Sequence, residues 1–282
     1  MSRKEWSGAE RPTDEEGRQY HIRCRRGEVA RFCLLPGDPK RVPQIAAGWD
    51  EGHEAADSRE HATWTGRVGG VDISACSTGV GGGSTANALE DLAEIGCDTL
   101  IRVGTCGAMQ KRIAPGDLIV CTAAVRRDGT SDDYVINAYP AAAHYETVLA
   151  LIEAAERVGC PYHVGPVCTA ASFFPGQGRP GVGGYAQSSA NAILRDMQAA
   201  GVLAFEMEAA TVFTVSSLYG LRAGAVFTVV ANRADDSFQY DGKTADSSIQ
   251  VANLAVRLLD EWDKKKAARG KPFLYPSLIA AD

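Results

Sequence analysis

Strand-like and helix-like segments alternate along the 282-residue chain, which predicts a single-domain α/β protein built as a three-layer α/β/α sandwich. Two further observations support that class. Short apolar runs such as "TLIRVG" and "DLIVC" suit strands of a sheet covered on both faces. No break in composition marks a linker, and 45% hydrophobic residues suffice to fill one large core.

Residues 1–18 are polar and read as an N-terminal tail; the domain is expected over 19–265, with a second tail over 266–282. "ARFCLLPGDPKRV" is an apolar strand broken at Pro36-Gly37-Asp38-Pro39, with a helix expected over about 40–47. "HATWTGRVGGVDISACSTG" alternates around Gly69-Gly70 and predicts a hairpin. The next stretch, "GVGGGSTANALEDLAEIGCDTLIRVGTCGA", reads as Gly-rich loop, helix, strand and second Gly-rich loop. Ser84 is its expected N-cap, Ala86, Leu89, Leu92 and Ala93 its apolar face, and Gly96 its stop. "GDLIVCTAAVR" is a strand, and the following helix over "AHYETVLALIEAAERVG" carries Val148, Leu151, Ile152 and Ala155 on one face. "HVGPVCTAASF" is a strand leading into the loop "SFFPGQGRP". "SANAILRDMQAAG" and "EMEAATVFTVSSLYG" are helices and "RAGAVFTVVANR" a strand. An amphipathic helix with Val251, Leu254, Ala255, Leu258 and Trp262 on one face closes the domain.

Charge narrows the function classes. With 29 basic and 35 acidic residues, net −6, the chain is not built to coat nucleic acid or an anionic membrane. Any anion site must be a local concentration of Arg. None of the eight cysteines forms a CxxC pair, and several sit in apolar runs, so they read as buried thiols and not as a disulfide frame or a zinc site. The charged N-terminus lacks the apolar stretch of a secretory signal, and no apolar run reaches the ~18 residues of a membrane span. The expected location is the cytoplasm.

Three Gly-rich turns follow strand-like segments: "LPGDPKR", "STGVGGGST" and "RVGTCGA". None is followed by Lys-Ser/Thr, and none has the acidic residue that a dinucleotide-binding unit places after its second strand. Glycine lets backbone N–H groups approach an anion closely, and Arg41 and Arg102 lie within a few residues of two of these turns. The loop "SFFPGQGRP" places one amide, Gln177, and one cation, Arg179, beside Phe173 and Phe174. Read alone, it is more readily a surface turn with two solvated side chains.

Taken together and in order, "HIRCRRGEVARFCLLPGDPKRV", "SRE", "CSTGVGGGST", "IRVGTCGA", "FFPGQGR", "FEMEAAT" and "VVANR" resemble the hexameric nucleoside phosphorylase family over about His21 to Trp262. The resemblance implies that family's fold, with a central mixed sheet, and its reaction: phosphate splits a nucleoside into a free base and ribose 1-phosphate. In that reaction the sugar nears an oxocarbenium cation, phosphate waits on the opposite face and charge grows on the departing base. An arginine pocket, a carboxylate for the ribose hydroxyls and polar donors at the base meet those needs.

By this resemblance, phosphate is held by Gly37, Arg41, Arg102 and Thr105, with Arg59 supplied by a neighbouring subunit. Glu208, Met207 and Glu206 form the ribose site, and His21 reaches a neighbour's 5′-hydroxyl. The base meets Phe173, Gln177, Arg179, Cys106, Gly107, Asn232 and Arg233. Arg102, Glu208 and Arg179 carry the catalysis. "FFPGQGR" and Asn232-Arg233 resemble the uridine branch, whereas the purine branch has an Asp after the last strand to protonate N7, and Asn is no general acid. Cys106 instead resembles the purine branch, so the breadth of base selectivity stays open. No cofactor is required, since phosphate is the co-substrate. In some members a monovalent cation such as K+ sits at a dimer interface, and the matching positions are Glu60, Val80 and Ser84. The implied assembly is a homohexamer, a trimer of dimers. The alternatives are a purine or broad-specificity phosphorylase, a nucleoside hydrolase, and a non-catalytic nucleoside-binding protein on the same scaffold.

Overall fold

The computed structural model describes residues 6–240 and 246–280. In chain order the strands are β1 (Phe32–Leu35), β2 (Glu51–Ser58), β3 (His61–Val68), β4 (Val71–Cys76), β5 (Thr99–Ala108), β6 (Leu118–Arg127), β7 (Ala141–Ala142), β8 (Tyr162–Ala170), β9 (Ala204–Glu206), β10 (Arg222–Asn232) and β11 (Ser237–Phe238). The helices are α1 (Arg41–Ala46), α2 (Gly82–Ile95), α3 (Tyr145–Val158), α4 (Ala190–Ala199), α5 (Ala209–Leu218), α6 (Asp246–Ala268) and α7 (Pro276–Ile279).

All eleven strands join one mixed sheet in the order β11-β10-β6-β8-β9-β5-β1-β4-β3-β2, with β7 pairing β6. β5 is parallel to both β1 and β10, and β4 is parallel to β1. β10 also pairs antiparallel with β6, β6 parallel with β8, β8 parallel with β9, and β9 antiparallel with β5. One half of the sheet therefore closes into a five-strand ring while the other stays open.

Period-2 alternation sends successive residues to opposite faces. Leu100, Cys106, Phe227 and Val229 face one core with α2 and α5. Ile101, Val103 and Val226 face the other with α1, α3, α6 and α7. This is the expected three-layer arrangement, with the hairpin at Gly69-Gly70 in place.

Three local differences from the sequence reading have physical causes. First, Ser84 does not cap α2. The helix begins earlier, after Gly81, whose φ of 92° is open to glycine and strained for other residues. Second, Glu206 and Met207 precede the helix read over "EMEAA". Glu206 ends strand β9, and its carboxylate accepts from the backbone N–H groups of Glu208 (2.8 Å) and Ala209 (2.9 Å), serving the open donors at the start of α5. Third, α6 continues past Trp262 to Ala268, and Leu274 and Leu278 are buried in the second core, so residues 266–280 pack on the domain. At the other end Asp14 and Gln19 are buried, and Arg11 pairs with Glu90 and Glu94 of α2.

The C-terminal segment is held at Glu146, the first-turn carboxylate of α3. It accepts from Lys266 Nζ at 2.7 Å and Arg222 Nη1 at 3.0 Å, and Leu274 N donates to it at 3.3 Å. Asp263 shares Arg222 and Lys266. Burial alone would raise the Asp263 carboxyl, but Arg222, Lys266 and Arg31 hold it down at about 2. Its stabilising contribution is therefore present above the ordinary aspartate range and lost as pH falls toward 2. Among the described residues no helix is long and apolar enough to cross a membrane. Glu146→Ala takes one of two carboxylate partners from the partly buried cations Arg222 and Lys266 and is expected to destabilise the fold by about 2 kcal/mol, read as a lower urea midpoint at unchanged slope. A change below about 1 kcal/mol would mean that the Glu146 cluster is not what holds this segment.

Candidate active site

Loops following β1, β4, β8 and β9 meet the C-terminal halves of β5 and β10 around a pocket of about 600 Å³. β5 supplies its floor. Arg102, Thr105, Cys106 and Gly107 all line it, and at 3.3–3.4 Å per residue the run from Arg102 to Gly107 spans about 17 Å. The pocket thus has two ends, set by the order of residues on one strand.

At the Arg102 end lie Gly37, Asp38 and Pro39 from the loop after β1, and Arg41 at the start of α1. Arg102 is buried. Its Nη1 donates to Leu35 O and to Thr78 Oγ1, each at 3.4 Å, and its Nη2 donates to Glu208 Oε2 at 2.5 Å. A Cβ on Gly37 would lie 3.6 Å from both terminal nitrogens of Arg102 and 3.2 Å from Gly79 O, so glycine keeps the space beside the guanidinium open. Among the described residues Arg41 pairs with no carboxylate. Two guanidinium groups beside a Gly-rich turn give this end the donors and positive charge that could hold an anion.

Two buried carboxylates stand mid-pocket. Glu208 accepts from Gly81 N (2.6 Å) and from Arg102, one donor on each oxygen. Each oxygen keeps capacity to accept a further hydrogen bond, as from a sugar hydroxyl. Glu206 is turned inward, taking the Thr169 hydroxyl on Oε1 and two backbone N–H groups on Oε2. Burial first, and then the neighbouring Glu208 charge, push its carboxyl up to about 7 despite the opposing pull of Arg102 and these hydrogen bonds. Met207 lies between them on the pocket wall. Cys106 is buried beside Glu206, and burial keeps its thiol protonated.

The opposite end is built by the loop after β8. Gln177 is only 3% exposed, and its Oε1 accepts from Arg179 Nη1. Arg179 lies with Cζ 4.0 Å from the Phe173 ring centre, and its Nη2 is 3.6 Å from where a Cβ on Gly107 would stand. Gly178 turns the chain at φ 69°, where a Cβ would strike Ala190 O at 2.7 Å. Burial, and then the charge of Arg233, lower the Arg179 guanidinium to about 10, so it remains a cation at neutral pH. Among the described residues the Gln177 Nε2 protons are uncommitted. One face therefore offers a donor amide, a cation and a ring.

Not every predicted residue reaches this pocket. Asn232 does not line it. Its amide donates to Gln110 O (3.0 Å) and Ile113 O (2.6 Å), and its Oδ1 accepts from Ala234 N, so it locks the end of β10. Arg233 stands behind the Gln177 end, donating to Gln177 O at 2.9 Å. Ser84 also lies off the pocket, donating to Glu60 Oε1 at 2.7 Å, while Glu60 and the exposed Val80 are on its wall. Arg59 and His21 lie outside this chain's own pocket. Residues missed in sequence include Phe205, Val230, Ala231 and Phe238 on the wall and Thr169 behind Glu206. The apolar ones read as ordinary strand residues, and only the fold shows that the pocket cuts across the ends of their strands.

This pocket and sheet define the class. A family profile described as the phosphorylase superfamily matches residues 31–261, and the chain belongs to that superfamily. Among its relatives, a uridine phosphorylase of Thermococcus kodakarensis is 53% identical over 270 residues, covering 96% of this chain and 97% of the relative. A uridine phosphorylase of Escherichia coli is 38% identical over 245 residues, covering 86% and 95%. A guanosine phosphorylase of Halorubrum lacusprofundi is 37% identical over 215 residues, covering 76% and 84%.

The Glu206 environment generates a pH prediction. The folded protein keeps that proton up to about 7, whereas an exposed glutamate loses it near 4.5. Between those values the folded state binds more protons than the unfolded one, so stability from this group declines as pH rises. Removing the charge in Glu206→Gln is expected to improve the variant relative to the parent as pH goes from 5 to 8, measured by thermal midpoints across that range. Parallel profiles would contradict the assignment.

Proposed function

We propose that the pocket carries out reversible phosphorolysis of uridine, with related pyrimidine nucleosides accepted, giving uracil and ribose 1-phosphate. The observation that carries the reading is the polarity of the site along β5: arginines and a Gly-rich turn at one end, carboxylates in the middle, and Gln177 with Arg179 at the other. Phosphate sits with Arg102, Arg41, Gly37 and Thr105. Glu208 accepts from the ribose hydroxyls, with Met207 against the sugar and Glu206 holding the turn. Uracil meets Phe173, Gln177 and Arg179, beside Cys106 and Gly107.

The bond between C1′ and N1 lengthens first. The sugar becomes electron-poor, and the carboxylate of Glu208 fixes it by its hydroxyls with negative charge nearby. Phosphate, held on the opposite face by Arg102, closes on C1′ along the line of the departing bond. Arg179 offsets the charge that collects on uracil, so no acid is needed to protonate the leaving base. This suits a site in which the Asn232 amide is engaged with backbone carbonyls and Asp235 is exposed, capping Ser237 N.

Arg59 and His21 complete the site only from a second copy, so the reading includes a homo-oligomer, a hexamer arranged as a trimer of dimers. A monovalent cation such as K+ at Glu60, Val80 and Ser84 belongs to the same interface. One chain brings a single carboxylate and a single hydroxyl there, so the site would need oxygens from two copies. No cofactor enters the reaction. All eight cysteines are free, which suits the reducing cytoplasm.

The guanosine phosphorylase among the relatives motivates a second reading, a phosphorylase of broad base selectivity. Initial rates with uridine, thymidine, inosine and guanosine, with and without phosphate, separate the two. The proposal expects phosphate-dependent uracil release with a higher kcat/KM for uridine than for either purine nucleoside. A purine preference would reject it, and base release at the same rate without phosphate would indicate a hydrolase. Arg102→Ala is expected to lower kcat/KM by about 10²-fold or more, that is about 2.7 kcal/mol.

A further inference from the structure

Two of the predicted site residues that lie outside this chain's own pocket, His21 and Arg59, are 38 positions apart in sequence, yet the fold brings Arg59 to Tyr20, the chain neighbour of His21. Arg59 stands at the tip of the β2–β3 turn with φ 56°, a left-handed conformation unusual for arginine. It is exposed, and its Nη2 donates to the Tyr20 hydroxyl oxygen at 2.7 Å while its Cζ lies 4.9 Å from the Tyr20 ring centre. His21 packs edge-on to the same ring at 5.1 Å. Trp6 also packs edge-on to this ring, at 5.0 Å.

The cluster is anchored from behind. Asp91 of α2 accepts from the backbone N–H groups of His21 (3.0 Å) and Ile22 (3.2 Å). Arg59, by contrast, forms no ion pair with a carboxylate among the described residues. An exposed arginine normally samples many rotamers, and immobilising it at the moment of binding costs affinity. Here one hydrogen bond and one ring face hold it in advance, while leaving its charge unneutralised.

We propose that Tyr20 is a positioning residue for phosphate binding: its hydroxyl and ring hold Arg59 extended, with charge unpaired, for delivery to the phosphate end of a neighbouring copy's pocket. The proposal deepens the phosphorolysis reading and rests on its assignment of Arg59 to phosphate. In this role Tyr20 acts through Arg59, the side chain its hydroxyl and ring hold.

Tyr20→Phe removes the hydroxyl and keeps the ring. In initial-rate kinetics with nucleoside saturating and phosphate varied, it is expected to raise the phosphate KM by about 3- to 10-fold, with the nucleoside KM and the thermal midpoint unchanged. Arg59→Ala is expected to raise the phosphate KM more, and Tyr20→Phe added to Arg59→Ala to change nothing further, since two residues acting as one unit are not additive. Tyr20→Leu, which removes the ring as well, should exceed Tyr20→Phe in the same parameter. If Arg59→Ala raises the phosphate KM and Tyr20→Phe does not, the positioning role is wrong and the phosphate assignment stands. If Arg59→Ala leaves the phosphate KM unchanged, both fall. A Tyr20→Phe effect confined to the thermal midpoint, or one that persists in the Arg59→Ala background, would also overturn the proposal.

Discussion

The buried ion pair between Arg102 and Glu208 is the constraint on which the rest of the site depends. Taking two charges out of water is costly, and a pair in the interior is tolerated only when geometry and further hydrogen bonds satisfy what remains. Those further partners come from separate parts of the fold. Leu35 O belongs to the end of β1, Thr78 to the loop after β4, and Gly81 N to the turn that opens α2. Glu208 itself stands at the N-terminus of α5. One pair therefore gathers the Gly-rich turns around the floor strand, and in the proposed reaction the same two groups divide the work between phosphate and sugar. A second carboxylate so near is possible because Glu206 is turned away onto Thr169 and the start of α5, and is held toward its neutral form.

The end of the pocket assigned to the base in the proposed reaction is built differently, as a stack of supports. Arg233 fixes the carbonyl of Gln177, Arg179 fixes its side-chain oxygen, and Phe173 lies under Arg179. The outcome is that the orientation of Gln177 is set before a base arrives. Two cations near one another, with no carboxylate between them, leave an electron-poor face suited to a leaving group that gains negative charge.

Much of this was legible in the sequence. Period-2 and period-3.6 patterning located the strands and helices, because each buries one face or stripe against a neighbour. The glycines at 37 and 96 were readable as turn and stop. What could not be read depends on non-local register. The five-strand ring needs β9 to bridge β5 and β8, and β9 is three residues long. Asn232 is unreadable for the same reason: the sequence displays an amide, but not the Gln110 and Ile113 carbonyls that the fold brings to it. Nothing local distinguishes Tyr20; its contact with Arg59 arises only because the fold brings the β2–β3 turn beside it.

The central claim is that the pocket is directional, with phosphate at the Arg102 end of β5 and base at the Gly107 end. A crystal structure of the protein with phosphate and uracil bound tests it most directly. The account predicts phosphate oxygens within hydrogen-bond distance of Arg102 and uracil lying against Phe173 with its edge on Gln177 and Arg179. Phosphate bound at Arg179, or uracil lodged against Arg102 and Gly37, would contradict it.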